Sequence, residues 1–159
     1  MTPRGIAPAL AALLAVLLAG CFGPEEVNEP EPEPTAEAEV SDFEELSGAE
    51  IPESAESVEV FSVGEVDAFP TYVATFTLLN EEETRAFCRS GRIGNYLIVA
   101  AGELNEEQHE RHFIGENELV EPTKCSSVKQ GERVARSAVF SFPEGERVSV
   151  WAVAEISER

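Results

Sequence analysis

The chain has 159 residues and a formal net charge of −20, from 31 acidic and 11 basic side chains. That balance argues against nucleic acid as a partner, because phosphate binding needs a basic stripe. A calcium loop is not indicated either, since no Asp-x-Asp/Asn-x-Asp/Asn-Gly spacing occurs.

The chain opens with Arg4 as the one base of its first residues, then runs apolar from Ile6 to Ala19 apart from Pro8. A basic start, an apolar core and a small-residue exit are the parts of a secretory signal. The run is too short for a spanning helix, which needs about 20 apolar residues. It ends in Leu18-Ala19-Gly20-Cys21, which resembles the lipobox of bacterial lipoproteins. The resemblance implies cleavage between Gly20 and Cys21 and attachment of a diacylglyceryl group through the Cys21 sulfur. The lipid bilayer is then the first expected partner, reached through acyl chains on the extracytoplasmic side of the cell membrane. Two or more such chains anchor stably where one does not. The alternative is an ordinary secretory signal with a chance cysteine.

Residues 24–40 alternate four prolines with seven glutamates. Such a segment buries too little apolar surface to offset its ordering entropy, so it reads as an extended tether. Residues 21–84 carry nineteen acids and no Lys or Arg, whereas residues 85–159 carry twelve acids and ten bases. The expected organisation is a signal peptide over 1–20, a lipidated acidic tether over 21–48 and one extracytoplasmic domain over 49–159. Phe43 and Leu46 suit a short helical lead-in within 41–48.

From Ile51 the periodicity sharpens. Val58 and Val60 alternate with Glu59, predicting a strand over 57–63. Gly64 to Pro70 supplies a turn. Tyr72, Ala74, Phe76 and Leu78 alternate with Val73, Thr75, Thr77 and Leu79, predicting a central strand with two partly apolar faces. Asn80 is placed to cap a helix over 80–90, with Glu83 at the capping-box position and three glutamates in the first turn. Gly91 is read as its stop. The continuous apolar run 96–101 predicts a buried strand.

Residues 103–132 are mostly polar and predict a loop-rich insertion, with a short strand at 109–114. The end is a hairpin: Val134, Arg136, Ala138, Phe140 and Phe142 alternate, then a Pro143-Glu144-Gly145-Glu146 turn, then Val148, Val150, Ala152, Ala154 and Ile156. The fold class expected is α+β, a small antiparallel or mixed sheet of about five strands with one helix on a face.

Of three cysteines, Cys88 and Cys125 remain if Cys21 carries lipid, and an even number in an oxidising compartment favours a disulfide. Closing that loop is worth roughly 3–4 kcal/mol and would fasten the 103–132 insertion to the helix. Two buried free thiols, or a redox pair without a Cys-x-x-Cys, are the other readings.

The remaining constellations are weak. His109-Glu110-Arg111-His112 has its histidines one residue closer than the zinc-protease pattern requires, and a solvated polar segment is the default. Gly91-Arg92-Ile93-Gly94 has the outline of a nucleic-acid loop, yet suits a helix end. Glu81-Glu82-Glu83 is a helix first turn before it is a carboxylate cluster. Trp151 and the nine phenylalanines read most simply as core. No catalytic, cofactor-binding or metal residue is assigned, and no cofactor is expected.

Ile51-Pro52-Glu53-Ser54-Ala55, Val58-Glu59-Val60 and Ala74-Thr75-Phe76-Thr77-Leu78, running into an acidic helix with Phe87, resemble lipoproteins of actinobacteria to which no activity is attached. The similarity covers about forty residues and implies location and general fold. The function expected is a membrane-anchored lipoprotein whose small non-catalytic domain binds or scaffolds at the cell envelope, with an envelope protein or ligand as its partner. The alternative is an envelope hydrolase or metalloenzyme using residues 103–125. A ligand-delivery subunit for a transporter is disfavoured by the size of the domain.

Overall fold

A computed structural model describes residues 35–64, 69–94, 96–98, 104–127 and 133–156. They build a seven-stranded sheet in the order β1-β2-β3-β7-β6-β5-β4, with every neighbouring pair antiparallel. The elements in chain order are β1 (Thr35–Glu37), α1 (Val40–Ser47), β2 (Glu56–Val63), β3 (Thr71–Leu78), α2 (Glu81–Ser90), β4 (Tyr96–Ile98), α3 (Glu106–Arg111), β5 (Thr123–Ser127), β6 (Val134–Ser141) and β7 (Val148–Ile156). The antiparallel α+β expectation stands at that level. The sheet exceeds the expected five strands, and three helices rather than one are present among the described residues.

The topology explains why β3 is apolar on both sides. β1 to β3 form one meander, α2 carries the chain to the far edge, and β4 to β7 walk back until β7 pairs with β3. All eight residues of β3 pair with β7, from Thr71↔Glu155 to Leu78↔Val148. Successive side chains of a strand face opposite ways, so both faces of this central pair need cover.

The first face holds the main core. Ala74, Phe76 and Leu78 of β3 lie beside Val148, Val150, Ala152 and Ala154 of β7 and Ala138 and Phe140 of β6, all buried. α2 crosses this face: the Phe87 ring meets Phe76 edge-on at 5.3 Å and Phe140 at 6.5 Å. α1 lies against β3 and β7 and touches β2 and β6.

α1 displaces the domain boundary expected at residue 49. Phe43 is 1% exposed and sits in the main core with Ala49. Glu39 and Asp42 cap the helix reciprocally, and β1 pairs with β2 over Thr35↔Val63 to Glu37↔Phe61. Residues 35–48 therefore belong to the fold, and deletion of 24–40 would remove a strand and a helix cap. The acidic composition masked this, because the anchoring comes from one aromatic ring in a segment otherwise polar enough to read as tether. Residues 21–34 of the expected tether, and the expected signal 1–20 with Cys21, lie outside the described residues.

Two further expectations change. Residues 109–114 do not form a strand: His109 to Arg111 end α3, and a reciprocal Asn105–Gln108 capping box starts it. Thr123–Ser127, read as polar loop, is β5, held between β4 and β6. Val99 to Ala101 of the expected strand 96–101 lie outside the described residues.

Candidate functional site

Cys88 and Cys125 are bonded, with Cα atoms 6.2 Å apart and 37 residues between them in sequence. The bond joins α2 to an interior residue of β5 on the first face, where Cys88 is 2% and Cys125 0% exposed. It therefore fastens a helix to the sheet and leaves the preceding insertion to its own contacts.

The other motifs resolve into structure. Asn80 accepts from the Glu83 N–H, and the Glu83 carboxylate accepts from the Leu79 N–H at 2.8 Å and the Ser54 hydroxyl at 2.7 Å. Those hydrogen bonds, the backbone one first, hold the Glu83 carboxyl below its ordinary range against a small opposing effect of burial, and Arg147 assists. Gly91 is not the left-handed stop of α2. Arg92 takes that conformation, at φ 51°, and the Ile93 N–H closes the turn on the Cys88 carbonyl at 2.9 Å. A Cβ on Gly91 would instead strike Ala49, so its glycine permits close approach of the α1 exit. A Cβ on Gly94 would likewise strike the Ser126 carbonyl.

The insertion supplies the most concentrated chemistry. α3 is short, and His112, its C-cap residue, is only 5% exposed. The His112 Nδ1 lies 2.8 Å from the Gln108 carbonyl oxygen and Nε2 lies 2.9 Å from the Ser137 Oγ of β6. A carbonyl oxygen can only accept, so Nδ1 carries the proton and Nε2 accepts from the Ser137 hydroxyl. Burial, foremost, holds the imidazole pKa below its ordinary value; the Gln108 carbonyl opposes this, while Arg111, His109 and Lys124 add to it.

The two histidines thus diverge in role. His109 sits in the last turn of α3 and His112 spends both ring nitrogens on the protein, so they do not converge on a metal. No cluster of three or more His, Cys, Asp or Glu side chains suited to an ion occurs among the described residues.

His112 and Ser137 have the spacing of a base and a nucleophile, with the imidazole oriented from its far side. Acyl transfer also needs donors aimed at a developing oxyanion. Ser137 lies within a strand paired on both sides, at Ser126↔Ser137 and Ser137↔Val153, which commits backbone N–H groups there to the ladder. The pair reads as a part-buried polar bridge between the insertion and the sheet.

Three further contacts accompany it. Arg111 pairs with Glu155 of β7, the Phe113 ring meets Phe61 of β2 edge-on at 5.1 Å, and Ser141 of β6 accepts from the Val120 N–H at 2.9 Å. Phe113 adopts φ 56°, closing α3 with Phe113 N–H on the Glu110 carbonyl and Ile114 N–H on the His109 carbonyl. This is the two-bond helix ending that normally places glycine at the left-handed residue. A phenylalanine there costs about 1–2 kcal/mol. Asn105 with Gln108 is a capping signal that could have revealed α3 in place of the expected strand; nothing in the sequence pattern pointed to Ser137 as the partner of His112.

No protein-family model, curated protein or solved structure matches this chain. Among the described residues no helix is long and apolar enough to cross a membrane.

Proposed function

We propose that the chain is a lipid-anchored extracytoplasmic protein, tethered through acyl chains on Cys21, whose folded unit binds or scaffolds at the cell envelope. The observation that carries this reading is the Cys88–Cys125 bond. Structural disulfides persist in oxidising compartments, and pairing these two leaves Cys21 as the remaining cysteine of the three in the sequence. Its place after an apolar run too short to span the bilayer is the setting that sulfur acylation uses. The acidic residues between Cys21 and the folded unit, Glu25 to Glu33, then serve as a spacer repelled by anionic lipid.

Metabolic labelling with an alkyne fatty acid tests the anchor. Wild-type protein takes the label and fractionates with membrane, and Cys21→Ser loses both; equal labelling of the two overturns the reading.

A second reading, an envelope hydrolase, is favoured by one observation, the His112–Ser137 geometry. A fluorophosphonate probe separates the two. The scaffold reading predicts no labelling that depends on Ser137, and labelling abolished by Ser137→Ala would replace it.

A further inference from the structure

We propose that residues 104–122 form an acid-released latch over the second face of the sheet, with His112 as its catch.

The placement is specific. One row of side chains on the second face runs Ser137, Val153, Val73, Phe61, each the cross-strand partner of the next. His112 holds the first of these and Phe113 the last. Adjacent residues of the insertion therefore straddle Val153 and Val73, which are 2% and 0% exposed. These valines stand apart from the main core.

The attachment is largely polar and partly strained. Among the described residues it includes the His112 bridge, the half-exposed Arg111–Glu155 pair, the hydrogen bonds of Val120 with Ser141 and with the Phe142 N–H, one ring contact and the buried Ile114. Phe113 holds a left-handed backbone that opening would relax. The neighbouring disulfide does not restrain the latch, because it joins α2 to β5 on the opposite face.

Acid acts on His112 through its surroundings. Among the described residues, the ionisable groups around it are His109 and Arg111 on α3, Lys124 on β5 and, through its pair with Arg111, Glu155 on β7; β6 contributes the neutral Ser137 hydroxyl. Arg111 and Lys124 are cations, and Glu155 is already committed to Arg111. An imidazolium at His112 would be both desolvated and repelled. In the opened segment the same side chain is in water and titrates near 6.5. The sign follows: a depressed pKa in the closed state leaves closure fully favoured above about 6.5 and weakens it as pH falls toward the closed-state value. The opening constant then rises by up to about tenfold per pH unit within that window.

Hydrogen exchange of the full chain at pH 7.5 and pH 5.0, corrected for intrinsic exchange rates, tests the latch. Protection of peptides covering 106–114 should fall by about five- to thirtyfold at pH 5.0, while peptides covering 84–88 stay unchanged. In His112→Asn, whose amide can still donate toward the Gln108 carbonyl, protection of 106–114 should be lower at both pH values and independent of pH. Unchanged wild-type protection at 106–114, or an equal fall in the variant, overturns the proposal. Should the variant not fold, the imidazole titration of wild-type protein followed by NMR decides: a His112 pKa at or above 6.5 in the folded chain also overturns it.

Discussion

The two faces of this sheet are covered by different physics. On the first, α1 and α2 bury rings and aliphatic side chains against β3, β6 and β7, and a disulfide closes the far side. On the second, a short helix and the segment after it are held by a histidine–serine bridge, an ion pair, one ring contact, the buried Ile114 and hydrogen bonds at Val120. Apolar burial scales with area and responds little to pH or salt. Polar attachments are worth about 0.5–1.5 kcal/mol each and depend on protonation and geometry. The first face therefore sets global stability, and the second sets which segment opens first.

Substitutions on the two faces should separate these roles. Phe43→Ala should cost about 3–5 kcal/mol in denaturant unfolding, although its segment looks like tether; a cost below about 1 kcal/mol would detach α1 from the core. Replacing both Cys88 and Cys125 with Ala should cost about 2–5 kcal/mol, read as a lower midpoint of thermal unfolding. Asn80→Ala, removing the α2 cap, should cost about 1 kcal/mol.

On the second face the global effects should be smaller. Phe113→Gly loses a ring contact of about 0.5–1.5 kcal/mol and relieves backbone strain of similar size, so its thermal midpoint should stay near that of wild type. Glu83 gives the least change near neutrality. Because its carboxyl is held low, its contribution is complete above about 4.5 and is lost only as pH falls through the folded value. NMR titration should find it ionised after exposed glutamates have protonated.

The sequence made strands legible where one period ran without interruption. The alternations in β3, β6 and β7 correspond to the buried first-face positions, because strands paired on both sides leave period two as the dominant signal. The α2 cap was equally legible at Asn80, although Glu83 turns to the Leu79 N–H rather than to that of Asn80. β5 was hidden because Thr123-Lys124-Cys125-Ser126-Ser127 is polar at most positions and becomes a strand through its neighbours β4 and β6. α1 was hidden by composition, since the contribution of Phe43 depends on a surface the local sequence does not contain. The His112–Ser137 bridge spans 25 residues and follows from the strand order, which no local pattern encodes.

Native-state hydrogen exchange at neutral pH in rising denaturant tests most directly whether the two faces are held independently. Amides of 108–114 should exchange through a low-energy opening that responds weakly to denaturant, while those of 84–88 exchange only with global unfolding. A single shared exchange profile for both segments would contradict this, and would make the insertion an integral part of one cooperative core.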